Sequence, residues 1–143
     1  MNPPRYVKIL QRVLALVALV FGLITVIAGT RVMAGADPGY VVYQPLLIYN
    51  TAMGVAYLVA GVMAWRSLAR GKAAAAVILA LNVLVLCAIG YGYVTGSAVA
   101  ADSLRAMTFR TVVWLVLFAG LTWLSHRHDL SASIPSNTPS DAA

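Results

Sequence analysis

The chain has 143 residues, 62% of them hydrophobic and only 10% charged, and a mean hydropathy of +0.87; an ordinary soluble domain carries about a quarter charged residues. That composition excludes a soluble globular class and points to an integral membrane protein. The net charge of +6 does not indicate nucleic acid, because the Lys and Arg residues sit at the ends of apolar runs and not in a basic stripe interleaved with aromatics.

Four apolar runs each approach the roughly 20 residues that a helix needs to cross a hydrocarbon core of about 30 Å. A transmembrane barrel would alternate apolar and polar residues over segments of about ten, whereas "VLALVALVFGLITVIAG" is apolar on every side. The predicted fold is all-α, an integral membrane four-helix bundle. Residues 1–129 form one domain with spans of about 13–33, 45–65, 73–95 and 103–125. Residues 130–143, "LSASIPSNTPSDAA", have too little apolar area to offset the entropy of ordering and are expected to be a disordered cytoplasmic tail.

The first span follows a basic start. Its competitor is a signal peptide, since "VMAGAD" offers Ala34 and Ala36 as a small-residue cleavage site. A signal core is usually about 7 to 15 residues, shorter than this run, and Arg31 precedes the site, so the segment is expected to remain as a span. Ala18, Gly22, Thr25 and Gly29 fall on one side of a helix. Lipid is as apolar as leucine, so small residues that allow close backbone approach mark the side that faces protein. The loop after it holds a turn at Asp37-Pro38-Gly39 and interfacial tyrosines Tyr40 and Tyr43.

The second span repeats the small-residue spacing with Asn50, Gly54, Tyr57 and Gly61. An amide in hydrocarbon needs a hydrogen-bond partner, so Asn50 is expected to meet a neighbouring helix, a lipid-excluded cavity or another subunit. The third span carries Asn82 and the only cysteine, Cys87, expected to be a buried apolar-like thiol; one cysteine excludes an intrachain disulfide and a Cys-x-x-Cys pair. At a rise of about 1.5 Å per residue, Asn82 and Asn50 differ in depth by roughly 10 Å. Separate partners are therefore expected, such as Thr25 or Thr122. Tyr91 and Tyr93 close the third span as further aromatic-belt residues. Asp102 is expected to N-cap the fourth span, with Arg105 one turn on and Arg110 deeper still, where an arginine must snorkel, pair or face protein.

Charge then sets the topology. Arg5, Lys8, Arg12, Arg66, Arg70, Lys72 and Arg127 share one side, and Arg31, Arg105 and Arg110 the other, which by the positive-inside rule places both termini in the cytoplasm. The Ala-, Val-, Leu- and Arg-rich usage suggests a bacterial inner membrane.

No span contains Asp or Glu, so a proton-coupled exporter lacks its titratable carboxylate. His126 and His128 follow the last span, outside any bundle interior that could hold haem. "SHRHD" places these histidines at i and i+2, which point apart on a helix, so no metal, cofactor or catalytic group is assigned. The expected function is non-enzymatic: an accessory, structural or assembly subunit of a larger membrane complex or a homo-oligomer, with membrane lipids and other integral subunits as partners and no nucleic acid. Gly22, Thr25, Gly29, Asn50, Gly54, Tyr57, Gly61 and Asn82 are the candidate packing or partner contacts. Arg31, Arg105 and Arg110 are the candidate contacts for an anionic headgroup or a partner carboxylate. The alternative is a small-molecule or lipid carrier in which Asn50, Asn82, Tyr57 and Tyr93 converge on one polar cavity opening toward Arg110.

Overall fold

The computed structural model describes residues 5–39, 42–96 and 101–132, with side chains as far as Arg127. It is all-helical over the regular elements, with α1 at Arg5–Met33, α2 at Gln44–Arg66, α3 at Leu68–Val94 and α4 at Ala101–Ala132. Each is long and apolar enough to cross a membrane. Successive helices run antiparallel and close into a bundle, α4 returning against α1 through Leu14 on Gly120 and Phe21 on Phe109. One end carries both longer connections, after α1 and after α3, and is called here the loop end; the other carries the start of α1, the α2–α3 bend and the end of α4, and is called the terminal end.

α2 covers 45–65 with one residue more at each end, and the other helices begin before the apolar runs from which their spans were read. α1 starts at Arg5 rather than near residue 13, because hydropathy marks only the lipid-immersed part while the backbone goes on satisfying its own hydrogen bonds beyond it. The added turns are held by packing: Val7 is buried, the Gln11 amide donates to the Ala64 carbonyl at 2.7 Å, and the Arg12 guanidinium lies 5.6 Å from the centre of the Trp65 ring. α3 starts five residues early, at Leu68, where the Ser67 hydroxyl accepts from the Arg70 amide at 3.5 Å. α4 runs on to Ala132, so residues 130–132, expected to be disordered, are helical; residues 133–143 lie outside the described residues. Its start is also corrected. Asp102 lies inside the first turn rather than capping it, paired with Arg105 at 3.4 Å, where a carboxylate still favours the positive end of the helix dipole.

Ser67 alone links α2 and α3. Its amide closes α2 on the Met63 carbonyl at 2.8 Å, and its own backbone is extended. So short a reversal presses the first turn of α3 onto the last turns of α2, and Gly71 is what permits it: a Cβ there would stand 2.5 Å from Ala64 Cα.

The interior is built from small residues around two aromatic rings. Ala15, Ala18, Ala60, Ala64 and Ala75 surround Tyr57 and Trp114, whose ring centres are 4.9 Å apart, within the range of favourable aromatic pairs. A smaller cluster of Leu46, Ile89 and Met107 fills the loop end. Leucine, valine and isoleucine cover much of the outward surface, an extent that water would not tolerate and lipid requires. Cys87 belongs to that surface: it is exposed, against the expectation of a buried thiol.

Candidate functional site

The small-residue faces of α1 and α2 meet each other. A Cβ on Gly22 would lie 2.9 Å from the Leu58 amide nitrogen and 3.0 Å from the Gly54 carbonyl oxygen; one on Gly54 would lie 2.7 Å from Val26 Cγ2 and 3.0 Å from the Val26 nitrogen. Gly61 packs on Leu19, and Gly29 on the Thr51 side chain. Thr25, buried beside Gly54, donates its hydroxyl to the Phe21 carbonyl at 2.8 Å. These residues are thus occupied inside the chain, and any outside partner meets other surfaces.

Asn82 is fully buried at mid-bundle. Its Oδ1 accepts from the Tyr57 hydroxyl at 3.0 Å and from the Tyr49 hydroxyl at 3.4 Å. The threonines suggested by sequence are not its partners: Thr25 bonds its own helix, and the Thr122 hydroxyl is buried with no hydrogen bond among the described residues. Asn82 lies about 18 Å from the loop end of α3 and Tyr57 about 20 Å from that of α2 at 1.5 Å per residue, so the two share a level. The Asn82 Nδ2 and the Trp114 indole nitrogen are both buried donors without an acceptor among the described residues.

Asn50 belongs to a different place. It lies about 9 Å from the loop end of α2 and makes no hydrogen bond to Asn82; its Oδ1 is buried with no hydrogen bond among the described residues. It lines a cavity of about 90 Å³ between α1, α2 and α4, together with Thr25, Gly29, Tyr43, Ser103 and Arg110. Arg110 is half-buried and within electrostatic reach of Tyr57. The three arginines suggested as anion contacts do not converge. Arg31 and Arg105 are exposed, Arg105 beside Asp102, and neither lines the cavity. Ser103 and Tyr43, which sequence did not single out for this role, do line it; only their loop-end position hinted at it.

The convergence required of a carrier is therefore incomplete. Asn82 and Tyr57 form one closed cluster, Asn50 and Arg110 line another space, and Tyr93 is exposed on α3. Tyr43 and Tyr91 are likewise exposed, as aromatic-belt residues are, while Tyr40 lies outside the described residues. His126 is exposed on α4, and the side chains of His128 and Asp129 lie outside the described residues.

A third feature has no polar side chain at all. Between α2 and α3 runs an open groove of about 690 Å³ lined by Ala52, Val55, Ala56, Val59, Ala60 and Met63 on one side and Ala73, Ala74, Val77 and Ile78 on the other. Ala52, Ala56 and Ala60 repeat at four-residue spacing along its floor.

Comparisons with protein-family models, with curated proteins and with solved structures found no match to this chain.

Proposed function

We propose that this is a non-enzymatic accessory or assembly subunit of a membrane protein complex, seated in a bacterial inner membrane with both termini cytoplasmic, and that it receives a transmembrane helix of its partner in the α2–α3 groove. The alanine-floored groove is the observation that carries this reading. Burying leucine against a neighbour gains little in lipid, so helix association there depends on close approach and dispersion, which alanines at four-residue spacing permit. From Ala52 to Met63 the floor runs about 16 Å, three turns of a docked helix. The Gly faces, by contrast, are already filled by α1 and α2 themselves.

The experiment is co-purification in mild detergent combined with photo-crosslinking. A crosslinker at Val59, on the groove, is expected to trap one defined polypeptide that co-purifies in fixed ratio. The same group at Val20, on the outward face of α1, is expected not to trap it. Ala52→Trp, which fills the groove, is expected to release the partner while changing bundle stability by no more than about 0.5 kcal/mol. If the protein runs alone, or if Val59 crosslinks only lipid, the reading fails.

Orientation has its own check. In a Cys87→Ser background, a cysteine introduced at Asp37, an exposed loop-end position, is expected to react with membrane-impermeant maleimide in intact cells. Reaction only after lysis would invert the topology.

A further inference from the structure

The loop-end cavity brings hydrogen-bonding groups together from two helices and the approach to α2: Asn50 from α2, Ser103 and Arg110 from α4, and Tyr43 just before α2. Among the described residues no acidic side chain lines the space, and a guanidinium, which can serve several acceptors at once, forms its strongest contacts with phosphate or carboxylate oxygens. The volume, about 90 Å³, admits a compact polar group. Ala28, Gly29 and Ala106 are among the residues that line it.

Depth adds the second argument. Asn50 and Arg110 lie about 9 and 14 Å inside the loop ends of their helices, and Tyr43, exposed at the mouth, is a residue type that favours the interface. α2, with 23 residues, is only a little longer than a hydrocarbon core of about 30 Å, so these groups lie just inside its edge, from which an arginine side chain reaches up toward the lipid phosphates. Asn50 adds selectivity. Its amide presents both a donor and an acceptor, and neither makes a hydrogen bond among the described residues, so an occupant with a hydroxyl or ammonium beside its phosphate completes both.

We propose that this cavity binds a phosphate ester, presented by the headgroup of a phospholipid in the adjoining leaflet. The site is independent of the α2–α3 groove, and either can fail without the other.

The test uses the full-length protein in neutral detergent and native mass spectrometry. Phosphatidylglycerol is expected to be retained at one molecule per chain, at least about tenfold above diacylglycerol with the same acyl chains, since one charge-assisted bidentate contact is of that order. Arg110→Gln and Asn50→Leu are each expected to lower retention about tenfold, and Arg105→Gln, outside the cavity, to leave it unchanged. Ala106→Leu fills the space without altering charge and is expected to expel the lipid, so the result does not rest on removing a half-buried arginine. Equal retention of diacylglycerol, or retention indifferent to Arg110→Gln, Asn50→Leu and Ala106→Leu, overturns the proposal. Glycerol phosphate is the arm for a soluble source: if it binds and phosphatidylglycerol does not, the phosphate site stands and the lipid source is overturned.

Discussion

Gly54→Leu is expected to destabilise the bundle by about 3 kcal/mol or more, at or above the upper range of ordinary overpacking substitutions, read as a shift in the midpoint of denaturing-detergent unfolding. The magnitude follows from what the new side chain would strike. At Gly54 the first added carbon already meets the backbone nitrogen of Val26 at 3.0 Å as well as its side chain, and across the contact Gly22 meets the Leu58 nitrogen and the Gly54 carbonyl. No rotamer moves a backbone, so α1 and α2 must separate, and with them goes the dispersion contact that holds helices together where lipid competes for every apolar surface. Gly90 supplies the control. Nothing lies within 4 Å of a Cβ there, so Gly90→Ala is expected to be neutral, or stabilising by up to about 1 kcal/mol through helix propensity. Equal losses at both positions would show that glycine at 54 serves some purpose other than close approach.

Asn82→Leu is the second large expected effect, about 2–3 kcal/mol. Leucine has the same branched outline, though it is larger, and it strands the hydroxyls of Tyr57 and Tyr49, which both donate to Asn82 Oδ1; a buried polar group left unsatisfied costs about 1–3 kcal/mol. Tyr57→Phe removes the shorter of the two bonds and is expected to cost less. In the double variant the losses are expected to fall short of their sum by about 0.6 to 1.7 kcal/mol, the range of interhelical hydrogen bonds measured in membranes. Strict additivity would mean that the 3.0 Å contact does not couple the two helices and that Asn82→Leu acts through packing alone.

The number and type of the helices could be read from the sequence because hydropathy is a sum over many residues, and four long apolar runs leave little else for the chain to form. The α1 and α2 faces could be read too, since Gly22 with Gly29 and Gly54 with Gly61 repeat at helical spacing. What the spacing could not say is which surface each face meets; that depends on tertiary pairing, and the two faces meet each other. Asn82's partners were missed because its depth was compared with that of Asn50 alone; the same rise per residue puts Tyr57 at its level, and their hydroxyl and amide meet there. Gly71 went unnoticed in "ARGKAAAA" because its role depends on a one-residue link that hydropathy cannot resolve. The cavity was half visible: Asn50 and Arg110 each stood out as polar groups in an apolar setting, but Ser103 and Tyr43 looked like ordinary cap and belt residues.

The single-residue bend at Ser67 also constrains how the protein enters its membrane. With no slack between them, α2 and α3 cannot be oriented one at a time: whichever direction the first takes, the second must take the reverse, and both are decided in one step. Arg66, Arg70 and Lys72 cluster at that bend, so inverting the pair means carrying three cations through the hydrocarbon, at about 2.5–3.5 kcal/mol each on insertion scales. The cations at the bend therefore oppose inversion of the α2–α3 pair once it is inserted, whatever the helices on either side do.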